Sequence, residues 1–248
     1  MRVITWNCLG ALNDNSPGFQ EKKDAILKLK PDVLVVQECE PLEKLTFTEG
    51  VTDTDRISDE GQQRGLTVFC FNGFHLERLD GYNPDIKFFL PLRVFKDAFS
   101  LTLLATWIWH KDGHYLNVFS AAVDHYASII GRERMLFLGD FNTPGAENNL
   151  ASPKPGNRFL ERHLEIVGKL SQKGVKSLFH ETNKVEHGKE KKEDATYYHQ
   201  RDVSQPFHCD YVFASDDMLK RMQSIEIGKP EEWLKLSDHM PLIVDFDL

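Results

Sequence analysis

Five apolar runs in this 248-residue sequence begin or end on polar side chains that a strand does not need. Asn7 follows Val3-Ile4-Thr5-Trp6, and Glu38 follows the run that closes on Gln37. Asp140 and Asn142 follow Met135-Leu136-Phe137-Leu138-Gly139. Asp210 precedes Tyr211-Val212-Phe213, and Asp238-His239 precede Met240-Pro241-Leu242-Ile243-Val244. A carboxylate launched from a buried run is costly to desolvate unless a metal, a cation or hydrogen-bond donors receive it. For Asp140 to Asn142 taken alone, a turn is an equal account, because Asp and Asn are common turn residues and Thr143-Pro144-Gly145 breaks the chain behind them. The repetition at five strand ends argues for chemistry.

That chemistry is coherent. Glu38 and Asp238 offer hard carboxylate oxygens, which suit Mg²⁺ or Mn²⁺ rather than a sulfur-bound zinc. Such ions keep several waters and are completed by substrate phosphate oxygens, so few protein ligands are needed. A further Asp can activate water, and a His can stabilise phosphoryl oxygens or the leaving group. Asp210 can fix the tautomer of His239 by accepting from one ring nitrogen. Metal-assisted phosphoester hydrolysis is the expected outcome.

The elements that must position these groups are legible in outline. Arg2 to Cys8 is apolar on both pleat faces, as a central strand is. Ser16-Pro17 offers an N-cap with proline at the first helical position, Phe19, Ala25, Ile26 and Leu29 supply an apolar stripe, and Pro31 stops the helix. Asp32 to Gln37 is a second strand. Pro41 to Gln63 reads as a short helix and an exposed loop around Thr52-Asp53-Thr54-Asp55. Leu66 to Phe71, Ile86 to Phe95 and Phe99 to Trp109 read as consecutive strands. Tyr115 to Ile130 has helical spacing, and Phe159, Leu160, Leu164, Val167 and Leu170 form another amphipathic stripe. Phe207 to Ala214, Ile225 to Gly228 and Pro241 to Phe246 complete the strands. Alternating elements of this kind predict an α+β or α/β layered domain, with residues 1–248 as one unit.

Composition sets the bounds. The chain is 41% hydrophobic and 27% charged, and its 38 acids against 30 basic residues give a formal charge of −8. That argues against a surface that grips nucleic acid throughout, though not against a local basic face. One stretch, Ala151 to Lys192, holds ten Lys or Arg, Lys154 among them, against five acids. It is either a solvated helix face with a loop or a guide for a phosphate-rich substrate. No run is long enough to span a membrane, and the N-terminus lacks a signal-peptide pattern. The four cysteines form no CxxC pair, so a reducing, cytoplasmic setting is expected. Cys8, Cys39 and Cys209 each adjoin a candidate site residue, and strand alternation should aim them away from it.

Trp6-Asn7-Cys8-Leu9-Gly10, Gln37-Glu38-Cys39, Gly139-Asp140-Phe141-Asn142, His208-Cys209-Asp210-Tyr211-Val212-Phe213 and Ser237-Asp238-His239-Met240-Pro241-Leu242 together resemble the ordered motifs of the endonuclease/exonuclease/phosphatase superfamily. The resemblance implies a four-layered α/β sandwich, two mostly antiparallel sheets face to face with helices outside. It implies Glu38 as principal metal ligand, Asn7 as the amide supporting the metal and a nearby acid, and Asp238 as a metal-proximal carboxylate. Asp140 resembles the group that orients or deprotonates water, Asn142 a phosphate contact, and Asp210 with His239 the coupled Asp–His pair. Thr196 resembles a threonine that precedes the Asp210 motif in many members, although an ordinary strand Thr serves as well.

One departure matters. The family strand that presents His or Tyr to the scissile phosphate corresponds to Leu104 to Trp109, and Trp107 takes that slot. An indole N–H donates but cannot accept a proton. Trp107 is therefore a donor, a stacking surface or a core residue, with His110 or His114 as substitutes. The expected activity is Mg²⁺- or Mn²⁺-dependent hydrolysis of DNA or RNA phosphodiesters. The alternative is a phosphatase or phosphodiesterase for a small molecule or lipid headgroup, and a third is a non-catalytic binding module. No obligate protein partner is implied.

Overall fold

The computed structural model describes residues 1–11, 18–45, 50–59, 63–143, 149–152 and 156–248. The expected Ser16-Pro17 cap, the Pro144-Gly145 break and Lys154 lie outside them. The chain begins with β1 (Arg2–Asn7), α1 (Phe19–Leu27), β2 (Val33–Cys39), β3 (Val51–Ser58) and β4 (Gly65–Phe71). Next come β5 (His75–Arg78), β6 (Phe89–Lys96), β7 (Phe99–Trp107), α2 (Tyr115–His125), β8 (Met135–Asp140) and α3 (Arg158–Gln172). Then follow β9 (Val175–Ser177), α4 (Leu178–Asn183), β10 (Tyr197–Tyr198), β11 (Pro206–Phe207) and β12 (Asp210–Ser215). The last elements are α5 (Asp216–Arg221), β13 (Met222–Ile227), α6 (Pro230–Trp233) and β14 (Leu242–Phe246).

Two six-stranded sheets result, in the orders β13-β14-β1-β2-β4-β3 and β5-β6-β7-β8-β12-β9. Among the described residues β1–β2 and β7–β8 pair in parallel, and the other pairs, the separate β10–β11 pair included, are antiparallel. Period-two alternation sorts the side chains into layers. Val3 of β1, Val33 and Val35 of β2, Leu103 and Ala105 of β7, and Leu136 and Leu138 of β8 fill the space between the sheets. Ile4 and Trp6 face the other way, toward Phe19, Ile26 and Trp233 of α1 and α6. Phe137 and Phe213 face Phe119, Val123, Ile166 and Leu170 of α2 and α3. Helices, sheet, sheet, helices: the four layers are those the motifs implied.

Three segments fold differently from what the sequence pattern predicts. Val51–Ser58 is a strand, not a loop, because its alternate residues are half-buried on the sheet edge while the others reach water. The buried stripe of α3 is His163, Ile166 and Leu170, with Phe159 and Leu164 exposed; a buried histidine displaced the all-apolar stripe. Ser177 to Asn183 carries a short strand end and helix that periodicity missed, both being brief. Among the described residues no helix is long and apolar enough to cross a membrane.

Candidate active site

The same alternation that fills the sandwich delivers the polar groups to one end of it. Continuing each inward-facing series by one step reaches Asn7 after Val3 and Thr5, Asp140 after Leu136 and Leu138, and Trp107 after Leu103 and Ala105. Running β12 backward from Ala214 through Val212 reaches Asp210. Register makes these neighbours: Asp210 lies opposite Asp140 in the β8–β12 pair, and Trp107 opposite Asp140 in the β7–β8 pair. Two glycines permit the approach. At Gly139, φ is +146°, and a Cβ would stand 1.8 Å from the Thr106 carbonyl oxygen. A Cβ on Gly10 would stand 2.0 Å from the Glu38 carbonyl oxygen, which accepts from the Gly10 N–H at 3.1 Å. Phe141, pointing away from Asp140, anchors the loop by packing edge-on against Phe119 at 5.0 Å. Burying it contributes about 1.5–3 kcal/mol.

Glu38 reaches the site by leaving strand geometry. Its φ is +56°, and the β2–β4 register slips between Val36 and Cys39. A non-glycine residue with positive φ is uncommon and costs about 1–3 kcal/mol, which the surroundings must offset. Here Asn7 Nδ2 donates to Glu38 Oε1 at 3.0 Å and to Asp140 Oδ2 at 2.9 Å, linking the two acids. Asn7 Oδ1 is engaged by the Leu9 N–H at 3.0 Å. The Arg64 guanidinium pairs with Glu38 Oε2.

Asp140 is fully buried. Its Oδ1 accepts from the Asn142 N–H at 2.9 Å, and its Oδ2 accepts from Asn142 Nδ2 at 3.0 Å as well as from Asn7. The second Asn142 amide hydrogen reaches the Ile108 carbonyl at 3.0 Å. Asn142 itself sits at φ +51°, the conformation that folds its amide back onto Asp140. Burial pushes the Asp140 carboxyl up to about 7, with Asp210 adding to the rise, against His239 and the hydrogen bonds from Asn7 and Asn142.

His239 Nδ1 donates to Asp210 Oδ2 at 2.9 Å, which turns Nε2 toward Asp140 Oδ2, 4.0 Å away. Burial alone would lower this imidazole, but the charges of Asp210 and Asp140 and the Asp210 hydrogen bond raise it to about 10. The pair is well held. Thr196 Oγ1 accepts from the Cys209 and Asp210 N–H groups, both at 3.1 Å. Ser237 Oγ donates to the Asn7 carbonyl at 2.7 Å and accepts from the His239 N–H at 3.1 Å. The Tyr197 ring lies 4.5 Å from the His239 ring.

Asp238 stands apart from this network. The Ser237 hydroxyl lies 3.5 Å from its Oδ1, but that hydroxyl gives its one proton to the nearer Asn7 carbonyl. Trp107 is packed between the sheets, tilted on Phe88 at 4.6 Å. His110 and His114 lie beyond it with rings 5.2 Å apart. Cys209 corrects an expectation: it precedes β12, so alternation does not govern it, and its Sγ lies 3.7 Å from Asp210 Oδ2. Burial holds that thiol well above its ordinary range, so it stays a neutral S–H. Two residues escaped notice in the sequence. Arg64 belongs to no motif. Tyr115 is half-buried at the start of α2, and its hydroxyl is raised by burial and then by Asp140 and Glu38.

Asp140, Cys209, Asp210 and His239 each present a ligand atom within 4.8 Å of the others. A protonated imidazole and a neutral thiol are poor ligands, so this cluster is suited to moving protons. Glu38 offers a hard carboxylate whose outer oxygen faces the Arg64 guanidinium, so an ion bound there would share or take that cation's place.

No protein-family model and no curated protein sequence matches the chain. Solved structures do. An AP endonuclease from Archaeoglobus fulgidus superposes with a TM-score of 0.71 at 18% identity, covering 100% of each chain. This chain has the DNase I-like fold. An AP endonuclease from Leishmania major matches that fold with a TM-score of 0.72 at 13% identity, over 98% of this chain and 86% of the other. The 3′ phosphatase NExo from Neisseria, bound to product DNA hairpin, gives 0.65 at 16% identity over 100% of both.

Proposed function

We propose that this chain, as a single domain, is a divalent-metal-dependent phosphoester hydrolase acting on nucleic-acid phosphodiesters. The observation that carries the reading is the continuous network from Glu38 through Asn7 to Asp140, facing the His239–Asp210 pair at one end of the sandwich. The names of the neighbours, AP endonucleases and a DNA-bound 3′ phosphatase, support the substrate class.

In this reading Glu38 and Asp238 hold Mg²⁺ or Mn²⁺, with Asn7 adjoining. The donor set fits a hard ion, and a guanidinium already answers the charge of Glu38. When bound, such an ion polarises a phosphoryl oxygen and favours the charge developing there. Asp140, lifted to about 7, is poised near neutrality to accept a proton from attacking water. His239, held protonated by Asp210, presents Nε2–H to a phosphoryl or leaving-group oxygen. Asn142 spends both amide hydrogens on Ile108 and Asp140, so it positions the acid and meets phosphate by releasing one of them. Trp107 walls the site beside Asp140.

A second reading, hydrolysis of a small phosphate ester, draws on the basic stretch. Lys169 pairs with Asp124 at 3.1 Å, Lys176 with Asp216 at 3.9 Å, and Lys173 reaches the Ala127 carbonyl at 3.1 Å. Two of its charges are answered by acids on α2 and α5, as on a solvated face.

The test offers single- and double-stranded DNA, RNA, nucleotides, inositol phosphates and a chromogenic phosphodiester with Mg²⁺, Mn²⁺ or EDTA. Metal-dependent cleavage of nucleic acid that falls steeply with salt supports the first reading. Salt-insensitive turnover of small phosphates alone supports the second, and no turnover on any class ends both. Glu38→Gln should weaken Mg²⁺ binding at least tenfold by titration calorimetry; unchanged affinity removes it as a ligand.

A further inference from the structure

A second group of buried polar side chains lies behind the catalytic strands and takes no part in the network above. His163 comes from α3, His180 from α4, and His187 and Glu190 from the segment that follows. His180 Nε2 and Glu190 Oε1 are 2.9 Å apart, and His163 Nε2 and His187 Nδ1 are 3.5 Å apart. His180, His187 and Glu190 each offer a ligand atom within 4.8 Å of the other two.

We propose that His180, His187 and Glu190, with His163 beside them, form a second metal site, for a zinc-class divalent transition ion that ties residues 178–190 to α3.

Four observations carry this. First, the outward ring nitrogens are already fixed: His180 Nδ1 hydrogen-bonds Ser177 Oγ at 2.7 Å, and His163 Nδ1 hydrogen-bonds Thr143 Oγ1 at 3.1 Å. Ligating histidines are characteristically held this way, with the second nitrogen anchored so that the first faces the ion. Second, the Glu190 side chain is only 2% exposed, yet its Oε2 has no hydrogen-bond partner. A buried carboxylate oxygen without a donor is costly, and a cation removes that cost. Third, no Lys or Arg pairs with Glu190 among the described residues; its ion-pair partner is His180, one of the proposed ligands. Fourth, the spacing is close to what an ion requires. Bonds of about 2.0–2.1 Å in a tetrahedron put ligand atoms about 3.3 Å apart.

The His180 and His187 rings are stacked, with centroids 3.6 Å apart. Their lone pairs cannot converge in that pose, so one ring must turn. His187 is the half-buried one and lies on a segment rather than a helix, so in this proposal it is the ring that turns. Two imidazoles and a carboxylate, with a third imidazole adjacent, form a nitrogen-rich set that favours zinc, cobalt or nickel over Mg²⁺. The role is structural. The Tyr211 ring packs on His163, His180 and His187 at 5.4, 6.0 and 5.8 Å, and its single O–H is shared between the His208 carbonyl at 3.0 Å and the Thr143 carbonyl at 3.2 Å. Through Tyr211 and Thr143 the ion would brace the backbone next to Asp210 and Asp140.

The experiment uses the full chain without a histidine tag, stripped with EDTA and titrated with Co²⁺ in excess Mg²⁺. One equivalent should bind with the visible absorption of nitrogen-ligated, tetrahedral Co²⁺, be displaced by Zn²⁺, and raise the melting temperature. His187→Gln, at a half-buried position, should weaken binding at least tenfold with the circular dichroism unchanged. Glu190→Gln should do the same, and if it unfolds the chain His187→Gln decides. Glu38→Gln should leave Co²⁺ binding intact. Absence of the absorption band, equal affinity in His187→Gln, or loss of binding in Glu38→Gln would each overturn the proposal.

Discussion

Two buried clusters of titratable side chains meet at the segment from Asp140 to Thr143, and they drive histidine in opposite directions. In the cluster that faces Asp140 and Asp210, His239 is raised to about 10; in the cluster behind it His163 is lowered to about 3. Both rings are almost wholly buried, so burial does not decide the difference. The partner does. His239 faces two carboxylates, one of them hydrogen-bonded, whereas His163 Nδ1 meets a threonine hydroxyl and its Nε2 meets another imidazole. The same residue type thereby becomes a proton donor in one place and a neutral lone-pair donor in the other.

The largest test of the contrast lies at its charged side. Asp140→Asn and His239→Ala should each lower turnover by about 10²–10⁴, the usual contribution of a positioned acid or base, with folding retained. Near-normal rates in either would show that the proton-handling assignment is wrong. Gly139→Ala attacks the geometry instead. Its Cβ would collide with the Thr106 carbonyl, so a loss of about 3 kcal/mol in denaturant unfolding is expected from strain and overpacking together. A loss below about 1 kcal/mol would mean that β7 and β8 yield easily. The smallest effect is at the neutral side. Ser177→Ala removes the hydroxyl on His180 Nδ1 and should cost about 1 kcal/mol of stability while leaving turnover unchanged. A large fall in turnover would show that the two clusters are coupled.

The charged cluster is largely legible in the sequence because most of its members lie at strand ends. Asn7, Asp140 and Asp210 are the next inward steps of visible alternations, and His239 adjoins one. Glu38 was found by type, but its positive φ and the slipped register that aims it depend on contacts with Gly10 and β4. Arg64 pairs with a residue 26 positions away and carries no local signal. The neutral cluster was invisible for the same reason. His163, His180 and His187 are scattered through a stretch whose charge drew attention to its lysines, and only tertiary packing brings their rings together. The α3 stripe shows how this misleads: a buried histidine occupies the place that an apolar periodicity assigns to Leu164.

The most direct test of the account is the pH dependence of metal-saturated turnover in wild type and in Asp210→Asn. Asp140 must be ionised and His239 protonated, so wild-type rates should rise as pH passes upward through about 7 and fall above about 10. A cation held by Glu38 and Asp238 favours ionised Asp140 and answers part of the charge that raises His239, so with metal bound both limbs lie below these values, while the Asp210 contribution to the basic limb remains. Asp210→Asn removes a charge that raises His239, so the basic limb should shift toward neutral pH. A basic limb that stays where it was would contradict the coupled Asp210–His239 pair on which the proposed mechanism rests.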